Sequence, residues 1–220
     1  MDLLTEIDAR IRARHLLGHP FYTSWVAGTL PKEAMQEYAR QYYAFESSFP
    51  RMLSSLHSRS ERADVRQALL ENLWDEEHGE PNHAELWLRF ADGIGAGREA
   101  TRTATWNQVT HDLVWSYLSA CRTRPLGAGV AAVYTYEAQV PAVARAKVDG
   151  LRTHYGVEDP ETLEFFELHA DLDVEHSGTE RKLIEDLGAG YEEEVLAATD
   201  EALDRWWAFL DAVTPATSAA

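Results

Sequence analysis

Apolar residues recur along this chain at intervals of three and four, the period of helices packed by one face. Over residues 3–17 the stripe is Leu4, Ile7, Ile11 and His15/Leu16, with charges between them. His19-Pro20 ends it, because the residue before a proline avoids the helical region. A short helix is predicted over 21–27, closed by Gly28. Pro31 opens a long segment predicted to reach residue 57. Another spans 62–92, and Gly93, Gly95 and Gly97 then form the clearest loop. Helices are predicted over 106–121, 128–155, 159–187 and 191–213. The fourth-last boundary is sharp: Asp159 is an N-cap, Pro160 suits the first turn, and Glu161 meets the positive end of the helix dipole. No alternating strand-like stretch is bounded by hairpin turns. The pattern predicts one all-α domain over 1–213, a bundle of seven or eight helices, with a flexible tail over 214–220.

Charge narrows the partners. Lys and Arg number 20 against 37 Asp and Glu, a net charge of −17. That balance disfavours nucleic acid and anionic membrane surfaces as partners. Apolar residues make up 45% and aromatics 10%, so the acidity sits on a globular chain. Cys121 is the one cysteine, which excludes an internal disulfide framework. No apolar run reaches the roughly 20 residues that span a bilayer. The N-terminus lacks the basic and apolar regions of a signal peptide, so a cytoplasmic protein is expected.

Most of the acids belong on solvated helix faces. A few are out of place there. Glu76 and His83 lie within one predicted helix; seven residues turn through about 700°, which puts both on one face. Glu77 is adjacent, and Glu80 pairs with His83 at i, i+3, so spacing leaves the choice of acid open. His169, Asp173 and His176 fall at i, i+4 and i+7, again on one face. Glu137 follows an uncharged stretch, where an acid costs desolvation unless it is paired or bound to metal. Three imidazoles and three carboxylates from three helices suit a dinuclear iron or manganese site in a bundle. Calcium and magnesium favour oxygen alone, and the lack of thiolate excludes cysteine-type structural zinc. Glu46, inside the aromatic run from Tyr42 to Phe49, reads as pocket-lining or supporting. Trp206-Trp207 reads as helix packing and Cys121 as inert. His15, His57, His78, His111 and His154 read as surface or satisfied core groups.

The set Glu76, His83, Glu137, His169, Asp173 and His176 resembles the ligand pattern of the haem-oxygenase-like di-metal oxidases, whose spacing of seven selects Glu76 over Glu80. His19-Pro20-Phe21-Tyr22, residues 30–43, Asp75-Glu76-Glu77 and Leu86-Trp87 resemble the subgroup that contains the Chlamydia protein associating with death domains. More distantly the chain is similar to thiaminase II and pyrroloquinoline-quinone synthase, which share the fold but are not expected to carry all six ligands. The resemblance implies a haem-oxygenase-like bundle holding two iron ions, or one iron and one manganese, with O2 as co-substrate and an external electron donor. It also implies a self-sacrificing 4-aminobenzoate synthase, in which a tyrosine supplies the ring and a lysine the nitrogen. The matching positions are Tyr22, Tyr38 and Lys147, with Lys147 expected on the same helix as Glu137. A homodimer is plausible for the fold. Two other readings stay open: the same centre acting on an external amino or fatty acid, and a non-enzymatic interaction protein.

Overall fold

Prolines and glycines cut three of the long helical segments in two. The computed structural model describes residues 2–214; the tail expected over 214–220 lies, but for Thr214, outside them. The elements are α1 (Leu3–Ala13), a 3-10 turn (Leu16–Gly18), α2 (Pro20–Val26), α3 (Lys32–Glu46), α4 (Phe49–Arg59), α5 (Ala63–Glu77), α6 (His83–Gly93), α7 (Arg98–Arg102), α8 (Gln108–Thr123), α9 (Leu126–Glu137), α10 (Val140–Tyr155), α11 (Pro160–Leu187) and α12 (Glu192–Val213). The all-α expectation holds, and the described residues contain no strand.

The single helix expected up to residue 57 is α3 and α4, because Pro50 sits in the first turn of a new helix and cannot donate to an earlier one. The segment over 62–92 breaks between α5 and α6. His78 is extended, Gly79 takes φ +103°, and the side chain of Asn82 caps α6 by accepting from the Glu85 N–H at 3.0 Å. The segment over 128–155 breaks at Ala138-Gln139, with Pro141 in the first turn of α10.

α9 lies at the centre. Every residue from Gly127 to Glu137 is buried, which fits a helix that is apolar on all sides. It packs against α8, α11 and α12, and α11 packs in turn on α6 and α10. Glycine permits the closest of these approaches. A Cβ on Gly127 would stand 2.7 Å from the Leu187 carbonyl oxygen, and one on Gly129 would stand 2.6 Å from Leu56. Aromatics fill the core beside α9. Tyr42 stacks on Trp87 at 4.0 Å, Tyr136 stacks on Trp206 at 5.2 Å, and the Trp206 Nε1–H donates to the Tyr117 hydroxyl at 3.0 Å. Cys121 is buried. Among the described residues, no helix is long and apolar enough to cross a membrane.

Candidate metal centre

The helix breaks decide where the polar residues of the core fall. Glu46 is the last residue of α3, Glu137 the last of α9 and His83 the first of α6, while Glu76 is the last but one of α5. Glu76 and His83 therefore do not share a helix face, as their spacing suggested. They meet across the turn between two helices, with His83 Nδ1 3.1 Å from a Glu76 carboxylate oxygen. Only His169, Asp173 and His176 meet by spacing within one helix, α11.

Two clusters result. Donor atoms of Glu46, His83 and His169 lie within 4.8 Å of one another, as do those of Glu137, Asp173 and His176. All six residues and Glu76 are buried. The imidazoles are oriented from behind. The Phe165 carbonyl holds His169 Nδ1 at 2.6 Å, which leaves Nε2 free. Asp75 holds His176 Nε2 at 3.0 Å, and Nδ1 then faces Asp173 at 3.8 Å and Glu137 at 4.0 Å. Fixing one ring nitrogen in this way aims the other at a metal. Asn72 Nδ2 donates to both oxygens of Glu137, at 3.0 and 3.2 Å.

Several of these groups lack partners. Glu46 Oε1, Asp173 Oδ2 and His176 Nδ1 are buried with no hydrogen bond. Burial pushes the Glu46 carboxyl well above its usual range, with Glu76 and Asp173 adding to the effect. Asp173 is pushed up to about 7 by burial, with Glu137 and Glu76 adding repulsion. Burial, with the neighbouring His83, pushes His169 down to about 4, so its ring is neutral and its lone pair available. Buried carboxylates without cations are costly. The chemistry of the donors and their orphaned atoms fit two first-row transition metal ions, with oxygen and nitrogen ligands and no thiolate.

Sequence reasoning assigned Glu46 a supporting place, whereas the fold brings it into the first cluster. It passed over Glu180 entirely. Glu180 is 3% exposed, and its carboxyl faces that of Glu137 with no other hydrogen-bond partner among the described residues. One signal pointed to it: His169, Asp173, His176 and Glu180 continue one stripe at intervals of four, three and four. Burial and the facing Glu137 push its carboxyl well up.

The three residues matched by resemblance also come together, from α2, α3 and α10. Lys147 lies beyond the break after Glu137, not on the same helix. Its Nζ donates to the Tyr38 hydroxyl at 2.7 Å, and the Tyr38 and Tyr22 hydroxyls are 3.0 Å apart. Burial pushes the amine down to about 7, opposed by Glu46. Lys147 Nζ lies 5.0 Å from the centre of the Tyr38 ring, 5.5 Å from Tyr22 and 4.8 Å from Phe166. A cavity of about 20 Å3 touches Tyr22, Lys147, Tyr42, Tyr136 and Phe166. Its walls are mostly apolar, and Tyr42 and Tyr136 share a hydrogen bond across it.

A haem-oxygenase-type family model, described as an iron-containing redox enzyme, matches residues 36–209. The chain is 39% identical over 218 residues to a 4-aminobenzoate synthase of Chlamydia muridarum, covering 99% of this chain and 92% of that protein. It is 40% identical to a 4-aminobenzoate synthase of Nitrosomonas europaea, covering 94% and 89% of the two chains. The solved structure of a TenA homologue from Pseudomonas syringae pv. tomato superposes with a TM-score of 0.82 at 16% identity, over 96% of this chain and 90% of that one.

Proposed function

The chain belongs to the haem-oxygenase-like family of iron-containing redox enzymes, and we propose that it makes 4-aminobenzoate from its own tyrosine and lysine side chains. The proposed metal ligands are Glu76, His83, Glu137, His169, Asp173 and His176, joined by Glu46. Bound there, two iron ions, or one iron and one manganese, would supply one-electron oxidation and O2 activation. An external reductant completes the reduction of O2.

One observation carries the reading. Lys147, Tyr38 and Tyr22 form a buried hydrogen-bonded chain beside a cavity of about 20 Å3. That volume suits a single water, so the space beside the three side chains is filled by the chain itself. The reacting groups are thus already in place, and positioning them costs no binding step.

The residues divide the work. The desolvated Lys147 amine is substantially neutral near pH 7, so its lone pair is available to a ring carbon. Tyr38 accepts a hydrogen bond from that amine and links it to Tyr22. Glu46 acts electrostatically on Lys147, Tyr38, Tyr42 and Tyr136, which ties the metal cluster to the aromatic chamber. Tyr22 is the proposed ring donor. It lines the cavity with Lys147 and lies on the seven-residue α2, whereas Tyr38 is mid-way along a core helix. To yield the product, the Tyr22 Cα–Cβ bond breaks, Cα keeps a hydrogen in place of its side chain, and Cβ is oxidised to a carboxyl group. At the ring the C–O bond breaks as the C–N bond forms, with the oxygen leaving as water, while the Lys147 Cε–Nζ bond breaks and Cε is left as an aldehyde. O2 accepts the electrons of both oxidations, and the external reductant supplies those still needed to reach water.

Intact and peptide mass spectrometry before and after aerobic iron reconstitution tests this. At most about one product per chain is expected, with mass changes at Tyr22 and Lys147. Many turnovers of an added substrate by an unmodified chain would overturn it.

A further inference from the structure

Between α5 and α11 a cavity of about 110 Å3 runs in from the surface, bordered by Glu71, Asp75 and Glu175 and reaching Asn72, His176 and Glu180. We propose that this cavity is the entry port for the divalent metal ions, and that Glu180 is the carboxylate that receives each ion and passes it to Glu137 and His176. The proposal rests on the dinuclear reading above.

Glu180 is the observation that calls for an explanation. Its carboxyl is buried, no donor from any other described residue reaches either oxygen, and the group facing it, close enough to share a proton, is the carboxyl of Glu137. Two carboxyls this close hold either one proton or one cation between them. A structural role would set a cation or a hydroxyl donor against it, and among the described residues none is within hydrogen-bond distance. Glu180 is also outside both three-residue clusters, so it is not needed to complete either. The second orphan at the inner end is also an oxygen. Asn72 spends its amide nitrogen on Glu137, while its Oδ1 is buried and unpartnered. Two unpaired acceptors at the inner end of an acid-lined passage are what a partly hydrated cation needs.

The outer end serves the same traffic. Glu71 and Glu175 are exposed and Asp75 half-buried, so the mouth attracts cations from solution. The cavity has room for an ion with part of its water shell. Beyond Glu180 the ion meets His176, whose Nδ1 faces Asp173 and Glu137.

The test follows loading of the metal-free full chain with Co2+ under anaerobic conditions. The visible Co2+ absorption is read by stopped flow, and elemental analysis gives the final stoichiometry. Glu180→Gln is expected to load about tenfold more slowly than the wild type while still reaching two ions per chain. The double variant Glu71→Gln/Glu175→Gln, altered only at the exposed mouth, is expected to load more slowly at low salt and to lose most of its salt dependence. A wild-type rate in Glu180→Gln would overturn the port, and so would a final stoichiometry of one, which would make Glu180 a resident ligand. If Glu180→Gln does not fold, the mouth variant decides: unchanged rate and salt dependence would overturn the proposal. Fewer than two ions in the wild type would instead overturn the dinuclear reading.

Discussion

The side-chain amine of Lys147 donates to a phenol, the Tyr38 hydroxyl at 2.7 Å. Burial lowers its pKa from 10.5 to about 7, so the folded chain binds fewer protons here than the unfolded chain between those values. Folding stability from this group therefore rises with pH across that window: the penalty is full below about 7 and gone above the ordinary lysine value. Lys147→Met is expected to raise the melting temperature more at pH 6 than at pH 10, by calorimetry. Single-turnover product formation in the wild type is expected to rise with pH through about 7 as the amine loses its proton. Lys147→Arg, a cation that does not deprotonate, should leave no product above background. Tyr22→Phe should likewise abolish product while still binding metal, as read by elemental analysis; full product from either variant would sink the assignment.

At the scale of elements, four of the donors, Glu46, Glu76, His83 and Glu137, stand at helix ends, while His169, Asp173 and His176 share one face of α11. His83 begins α6, and the Asn82 side chain secures that end. Asn82→Ala is expected to cost about 1 kcal/mol of stability. It should also weaken metal binding, because His83 then loses the fixed start of its helix; competition with a chelator would measure the loss. Close helix approach imposes a second constraint. Gly127→Ala would drive a Cβ to 2.7 Å from the Leu187 carbonyl, where backbone must move. A loss of about 1–3 kcal/mol in denaturant unfolding is expected.

Across the whole molecule, a chain of net charge −17 buries Glu46, Glu76, Glu137, Asp173 and Glu180 together. The imidazoles of His83, His169 and His176, from α6 and α11, are set among them. Metal bound there would couple to folding. Loading with free metal at about 100 times its Kd should stabilise the fold by about 2.7 kcal/mol, or raise Tm by roughly 5–10 °C for a chain of this size. Chelation should reverse the shift. Glu137→Ala should reduce the bound metal from two ions to one while leaving His83 and His169 occupied.

Helix content, the absence of strands and the acidic surface followed from periodicity and composition, because each is a property of neighbouring residues. The same holds for His169, Asp173 and His176, which one helix sets on one face by rotation alone. Residue spacing does not reveal the break between Glu76 and His83 or the one between Glu137 and Lys147. A periodic pattern continues across Gly79-Glu80-Pro81 and across Pro141 although the backbone does not. The aromatic run around Glu46 and the stripe that continues to Glu180 mark both acids, but composition cannot say that these carboxylates face inward. The chain of contacts from Lys147 to Tyr38 to Tyr22 spans 109 and 16 positions. Periodicity states that a face is apolar, and only the packed bundle decides which side chains oppose it.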